Sequence, residues 1–184
     1  MITVTETELK GVYVIEPKLF GDNRGWFMEF FSDRDLKANG IDVDFVQDNR
    51  SFSAKKGIIR GLHFQRNPMC QAKLLTCLRG EILDVAVDLR KNSPTYKKWI
   101  SVRLTEENKK QLFIPKGFAH GFVTLTDDVE IMYKCDAFYS PEHDGGIRFN
   151  DPDIGVEWGV ENPILSEKDE KQPFLADIEE SLDF

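Results

Sequence analysis

The chain has 184 residues, 41% of them hydrophobic and 11% aromatic, which is enough apolar material for one compact domain over residues 1–184 with a closed core. A formal net charge of −8 argues against a nucleic-acid groove or an anionic membrane surface, both of which need clustered positive charge, although a local pocket for a small anion stays compatible with it. The acidic start MITVTETELKG is unlike a signal peptide and no apolar run approaches the ~18 residues of a membrane span, so the sequence predicts a cytoplasmic protein.

In chain order, GVYVIEP (11–17) and GWFMEFF (25–31) read as strands. SDRDLKANG (32–40) interrupts them with Ser32 as an N-cap and Gly40 as a stop, predicting a short helix. Then come FVQDNRSF (45–52), GIIRGLHF (57–64), AKLLTCL (72–78), EILDVAVDL (81–89), KWISVRL (98–104), QLFIP (111–115), HGFVTL (120–125) and VEIMYKC (129–135). Each is bounded by Gly, Pro, Asn, Asp or Lys-rich breaks, and so many short strands in succession predict an all-β sandwich or barrel. In NPILSEKDEK (162–171), Asp169 follows Ser166 at the spacing of a capping box, which predicts a second short helix. DIEESLDF (177–184) reads as a solvated acidic end. Cys70, Cys77 and Cys135 show neither CxxC nor Cys/His zinc spacing and read as reduced, buried thiols.

Two of the three histidines lie in segments of unusual chemistry, His63 in GLHFQ and His120 in PKGFAHG. Strand alternation places Ile59, Gly61, His63 and Gln65 on one face and Arg60, Leu62 and Phe64 on the other. By the same period Lys73 can project beside Leu75 and Cys77, although on spacing alone a solvent-facing charge on an edge strand is the simpler reading of Lys73. A His and a Lys inside a barrel are costly to bury without a purpose. Pro115, Gly117 and His120 have the shape of the second histidine motif of cupins, and Gly57, His63 and Gly80 match part of the first. Gln65 stands where a metal-binding cupin has its second His, and Lys73 puts a cation among the ligand positions, so no catalytic metal is expected.

IRGLHFQ (59–65), AKLLTCLRGEILDVAVDLRKNSPTYKKW (72–99), FIPKGFAHGF (113–122) and NPILSEKD (162–169) together resemble the dTDP-4-dehydrorhamnose 3,5-epimerase family, over about residues 13–175. The resemblance implies an all-β, cupin-type jelly-roll barrel with a few short peripheral helices. It also implies a homodimer with exchanged N-terminal strands, using no metal or organic cofactor. The implied reaction inverts C3 and C5 of dTDP-4-dehydro-6-deoxyglucose to give dTDP-4-dehydrorhamnose for dTDP-rhamnose.

A C4 ketone acidifies the neighbouring C–H bonds, so inversion needs a base on one face, a donor at the enolate oxygen and an acid on the other face. By resemblance His63 is the base, Asp169 its carboxylate partner, Lys73 the group at the C4 oxygen and Tyr133 the acid. Asp169 has equal standing as a capping-box residue. The resemblance further assigns substrate contacts to Arg24, Glu29, Gln47, Asn49, Arg60, His120, Tyr139, Asp144 and Lys168, with Tyr139 as a stacking face for thymine. Asp84 is a candidate to orient His120. The chain departs from many relatives at Asp144, where Glu is common, at Gly145 and Gly146, and at Phe149. The same residues also serve a single-site epimerase, a 3,4-ketoisomerase or a non-catalytic sugar-binding cupin.

Overall fold

The computed structural model describes residues 1–184. Strands β1 (Ile2–Glu6), β2 (Tyr13–Pro17), β3 (Leu19–Asp22) and β4 (Gly25–Met28) precede the helix α1 (Asp33–Ala38). β5 (Gln47–Ser53), β6 (Ile59–Gln65), β7 (Lys73–Arg79), β8 (Glu81–Asp88), β9 (Trp99–Thr105), β10 (Gln111–Ile114), β11 (Phe118–Thr124), β12 (Val129–Cys135) and β13 (Asp144–Gly146) follow. Two short helices, α2 (Glu167–Glu170) and α3 (Leu175–Ile178), and a 3-10 turn over Glu179–Ser181 complete the chain. Every strand run read from the sequence is present. β1, β3 and β13 are additional: β3 and β13 are too short to show a period, and the N-terminal segment that holds β1 is rich in Thr and Glu.

The strands form a jelly roll of two antiparallel sheets, ordered β1-β2-β10-β7-β12-β5 and β13-β6-β11-β8-β9, with β3 and β4 as a separate hairpin. Alternation along each strand decides which side chains enter the space between them. Leu75, Cys77 and Ile131 from one sheet meet Ile82, Ala86, Phe118 and Phe122 from the other. Leu74, one position out of phase, lies on the outer face with Ile15 and Phe113, under Leu36 of α1. That helix starts where Ser32 Oγ accepts the Asp35 N–H at 3.2 Å and ends before Gly40, whose φ of +85° suits a residue without Cβ. No helix is long and apolar enough to cross a membrane.

The C-terminal end is not solvated, contrary to its acidic composition. Leu175 and Leu182 are buried with Trp158 and Ile147 against the outer face of the five-stranded sheet. Phe184 packs edge-on to Phe64, with centroids 5.6 Å apart, and Glu179 accepts from Tyr96 Oη at 2.9 Å and Lys97 Nζ at 3.1 Å. Apolar residues at 175, 178, 182 and 184 outweigh the intervening carboxylates, which point outward or find cations.

β6 also departs from simple alternation. His63 pairs with His120 and Arg60 with Phe122, so β6 spends one more residue than β11 between these points. The extra residue reverses the phase: Ile59, Leu62 and Phe64 enter the outer core, while Arg60 and His63 line the same cavity. The expected separation of Arg60 from His63 is therefore corrected by a bulge at Gly61. Its φ is +131°, and a Cβ there would lie 2.5 Å from Gly121 Cα, so the close approach of β6 to β11 requires glycine at this position.

Candidate active site

One end of the space between the sheets is apolar and the other polar. At the polar end Gln47, Asn49 and Ser51 project from β5 at alternate positions, and Tyr133 of β12 sits opposite Asn49 in register. Lys73 opens β7, Arg60 and His63 come from β6, and His120 from β11. These side chains line two adjoining lobes of about 170 and 280 Å³, and His63, Lys73, Tyr133 and Lys168 belong to both. Tyr133 and His63 come from different sheets and face a shared space, with Lys73 on its wall.

His63 is held from outside the barrel. Its Nε2 lies 2.5 Å from Asp169 Oδ1, leaving Nδ1 for a ligand. Ser166, the N-cap of α2, donates its hydroxyl to Asp169 Oδ2 at 2.7 Å and accepts the Asp169 N–H at 3.1 Å. The two roles of Asp169 are thus compatible: its backbone is capped while its carboxylate holds the imidazole. Burial pushes that carboxyl up, but hydrogen bonds from His63 and Ser166 and the nearby Lys168 outweigh burial and hold it below the usual carboxylate range.

Burial pulls the Lys73 ammonium down, and Cys135, Asp84 and Asp144 oppose that pull. Burial lowers His120 as well, against the raising effect of Asp84, whose Oδ1 lies 2.7 Å from His120 Nε2. Burial raises the Tyr133 phenol, which keeps it a proton donor at neutral pH. No group of three or more His, Cys, Asp or Glu side chains is arranged to hold a metal ion.

At the outer lobe Asp144 accepts from Lys168 and, at 3.4 Å, from Tyr139 Oη. Its bond raises the Lys168 ammonium above the ordinary lysine range. Gln47 Oε1 accepts the Tyr139 N–H at 2.9 Å, and its amide donates to Asn49 Oδ1 at 3.0 Å. Arg60 donates to Ser53 Oγ and the Phe52 carbonyl, both at 3.1 Å. Of the expected substrate contacts, Gln47, Asn49, Arg60, His120, Tyr139, Asp144 and Lys168 therefore come together. Arg24 and Glu29 do not. Arg24 pairs with Asp22 at 2.6 Å on the β3–β4 hairpin, and Glu29 is exposed just beyond it.

Gln71 and Ser51 also line the cavity without having been singled out from the sequence, and Ser166, read there only as a helix cap, joins them. For Ser51 the only signal was its strand phase with Gln47 and Asn49, since residues 47–51 are all polar and show no alternation. Gln71 lies in a loop and carried none.

The model of the dTDP-4-dehydrorhamnose 3,5-epimerase family matches residues 6–177. A relative from Shigella flexneri, named dTDP-4-dehydrorhamnose 3,5-epimerase, is 52% identical over 169 residues, 91% of this chain and 93% of its own length. The crystal structure of the Bacillus anthracis dTDP-4-dehydrorhamnose 3,5-epimerase with TDP and PPi bound is similar at a TM-score of 0.93 and 48% identity, covering 95% of this chain and all of that one. The Legionella pneumophila dTDP-6-deoxy-D-glucose-3,5-epimerase, solved with dTDP-4-keto-L-rhamnose, reaches a TM-score of 0.90 at 42% identity, over 96% of this chain and 94% of its own. With sequence, fold and matched span in agreement, the chain belongs to the dTDP-4-dehydrorhamnose 3,5-epimerase family of isomerases.

Proposed function

We propose that the chain inverts C3 and C5 of dTDP-4-dehydro-6-deoxyglucose by proton transfer between His63 and Tyr133. The observation that carries this reading is the placement of the two on different sheets around one cavity, with Lys73 lining both of its lobes. His63 takes the proton from the carbon beside the ketone, and its electrons move into the C4 carbonyl to give an enolate. Lys73 stabilises the oxygen charge that develops, a contribution typically of order 10²–10³ in rate for one such donor. Tyr133 returns a proton to the opposite face, inverting the centre, and solvent resets both groups. Asp169 fixes the His63 tautomer and steadies the imidazolium. Protons alone are exchanged and the oxidation state of the sugar is unchanged, so the scheme calls for no cofactor.

The nucleotide lies toward the outer lobe, where Lys168 meets phosphate oxygens and Tyr139 offers its ring to thymine, while Arg60 reaches phosphate from the adjoining lobe. Gln47, Asn49, Asp144 and His120 supply polar contacts or hold those that do. Arg24 and Glu29 reach a nucleotide only from another subunit, as in a homodimer with exchanged N-terminal strands. The β3–β4 hairpin suits such an exchange, since Trp26 and Phe27 are 58% and 69% exposed in the isolated chain.

Incubation with dTDP-4-dehydro-6-deoxyglucose in heavy water, followed by NMR of the sugar, tests the reading. Deuterium at both C3 and C5 with inverted configuration is expected. Label at one carbon makes the protein a single-site epimerase, and a migrated ketone makes it an isomerase of another kind. Binding without label leaves only a sugar-binding cupin.

A further inference from the structure

Asp84 projects from β8 into the barrel interior with none of its surface exposed. Its Oδ1 holds His120, while Oδ2 is the one buried side-chain polar atom in the chain without a hydrogen-bond partner. A buried carboxylate oxygen without a protein partner costs about 1–3 kcal/mol or more, which a neighbouring positive charge offsets. Lys73, which shares a cavity lobe with His120, has the complementary deficit. Its ammonium makes no ion pair and no hydrogen bond, and the only carboxylates that attract it are Asp84 and Asp144. Asp144 is already engaged by Lys168. Asp84 forms an ion pair with no lysine or arginine, its one ionisable partner being His120.

We propose that Asp84 is a positioning residue for the oxyanion side of the site, anchoring His120 through Oδ1 and acting through the buried interior as the counter-charge of Lys73. The inference rests on the reading of Lys73 as the group at the enolate oxygen. A carboxylate bonded directly to Lys73 would occupy its donors and cancel its field. One held back on His120 keeps the ammonium charged while leaving its protons free for a ligand. The other titratable groups around Lys73 are Arg60 and His63 on β6, His120 on β11, Tyr133 and Cys135 on β12, Tyr139 beyond it, Asp144 on β13, and Lys168 and Asp169 on α2. Asp144 already carries Lys168, Asp169 holds His63, and none of the others is a carboxylate, so none replaces Asp84.

The test follows the Lys73 side-chain nitrogen by NMR in ¹⁵N-lysine-labelled protein, assigned by its loss in Lys73→Arg, alongside the pH dependence of kcat and KM. In Asp84→Asn the Lys73 titration is expected to fall by about one pH unit or more. The alkaline limb of kcat moves down with it, KM changes little, and Asp84→Glu restores both. A folded Asp84→Asn with an unmoved Lys73 titration overturns the proposal, as does a shifted titration with wild-type kcat. If Asp84→Asn fails to fold, the double variant with Lys73→Met is expected to recover folding, because the orphaned cation is gone; absence of that rescue also overturns it. The titration needs no substrate, so wild-type protein that takes up no deuterium removes the epimerase reading separately.

Discussion

Replacing Asp169 by Asn changes one charge at a site where almost nothing else moves. The amide is nearly isosteric and keeps an oxygen for His63 Nε2–H, while Ser166 can still cap α2 through the backbone N–H at 3.1 Å. What disappears is the negative charge 2.5 Å from the imidazole, on a side chain only 5% exposed. A hydrogen bond to a charged group contributes about 1.5–3 kcal/mol, and the imidazolium it favours forms only as the sugar proton is taken. The loss therefore falls on the transition state, and about 1.4 kcal/mol per factor of ten converts it to a rate lower by roughly 10- to 150-fold. Deuterium uptake at C3 and C5, measured under single-turnover conditions, reads that step directly. Ser166→Ala is the comparison: it keeps the charge but loses the hydroxyl bond to Asp169 Oδ2, costs about 1 kcal/mol of stability through the lost cap, and lowers the rate less than Asp169→Asn does. Should Asp169→Asn exchange within about threefold of wild type while melting normally, or should Ser166→Ala match its defect, the carboxylate serves the helix and not the base.

Tyr133→Phe removes the acid but leaves His63 and Lys73, so proton abstraction persists and inversion fails. Label returning to C3 or C5 with retained configuration, and epimerised product reduced about 10²–10⁴-fold, is the expected NMR result, while unchanged product formation assigns the acid elsewhere. Gly61→Ala places a Cβ against Gly121 and the His120 carbonyl at positive φ, and urea unfolding should show a loss of about 3 kcal/mol or no folded protein. Asp88 is fully buried on β8 and accepts from Arg90, Ser93 and Thr95 at 2.6–2.9 Å. Burial raises its carboxyl, but these bonds outweigh it and hold the folded value below the ordinary 3.8. Its contribution is therefore complete above about pH 4 and disappears as pH falls through the lower, folded value. Asp88→Asn should cost about 3–5 kcal/mol at pH 7 and flatten stability between pH 4 and acid, whereas an acid profile parallel to wild type contradicts this account.

Local pattern by itself determined much of this protein. The strands with clear alternation, the Ser32 and Ser166 caps and the phase of Lys73 with Leu75 and Cys77 depend on neighbours within a few residues, and these were legible. The ordered motifs likewise carried the family, because several short matches in sequence order constrain one another. Two features were decided only in three dimensions, and two contacts already named as candidates were fixed there. The bulge at Gly61, which turns Arg60 and His63 to one side, exists because β11 approaches β6 closely enough to exclude a Cβ, and strand period carries no record of that partner. The burial of Leu182 and Phe184 beneath acidic neighbours depends on an apolar sheet face far away in sequence. Asp169 reaches His63 across 106 positions, and Asp84 meets His120 across 36, from elements whose local sequences say nothing of each other. Chain spacing specifies which side chains share a face; only packing between faces, through burial and charge, specifies which of them meet.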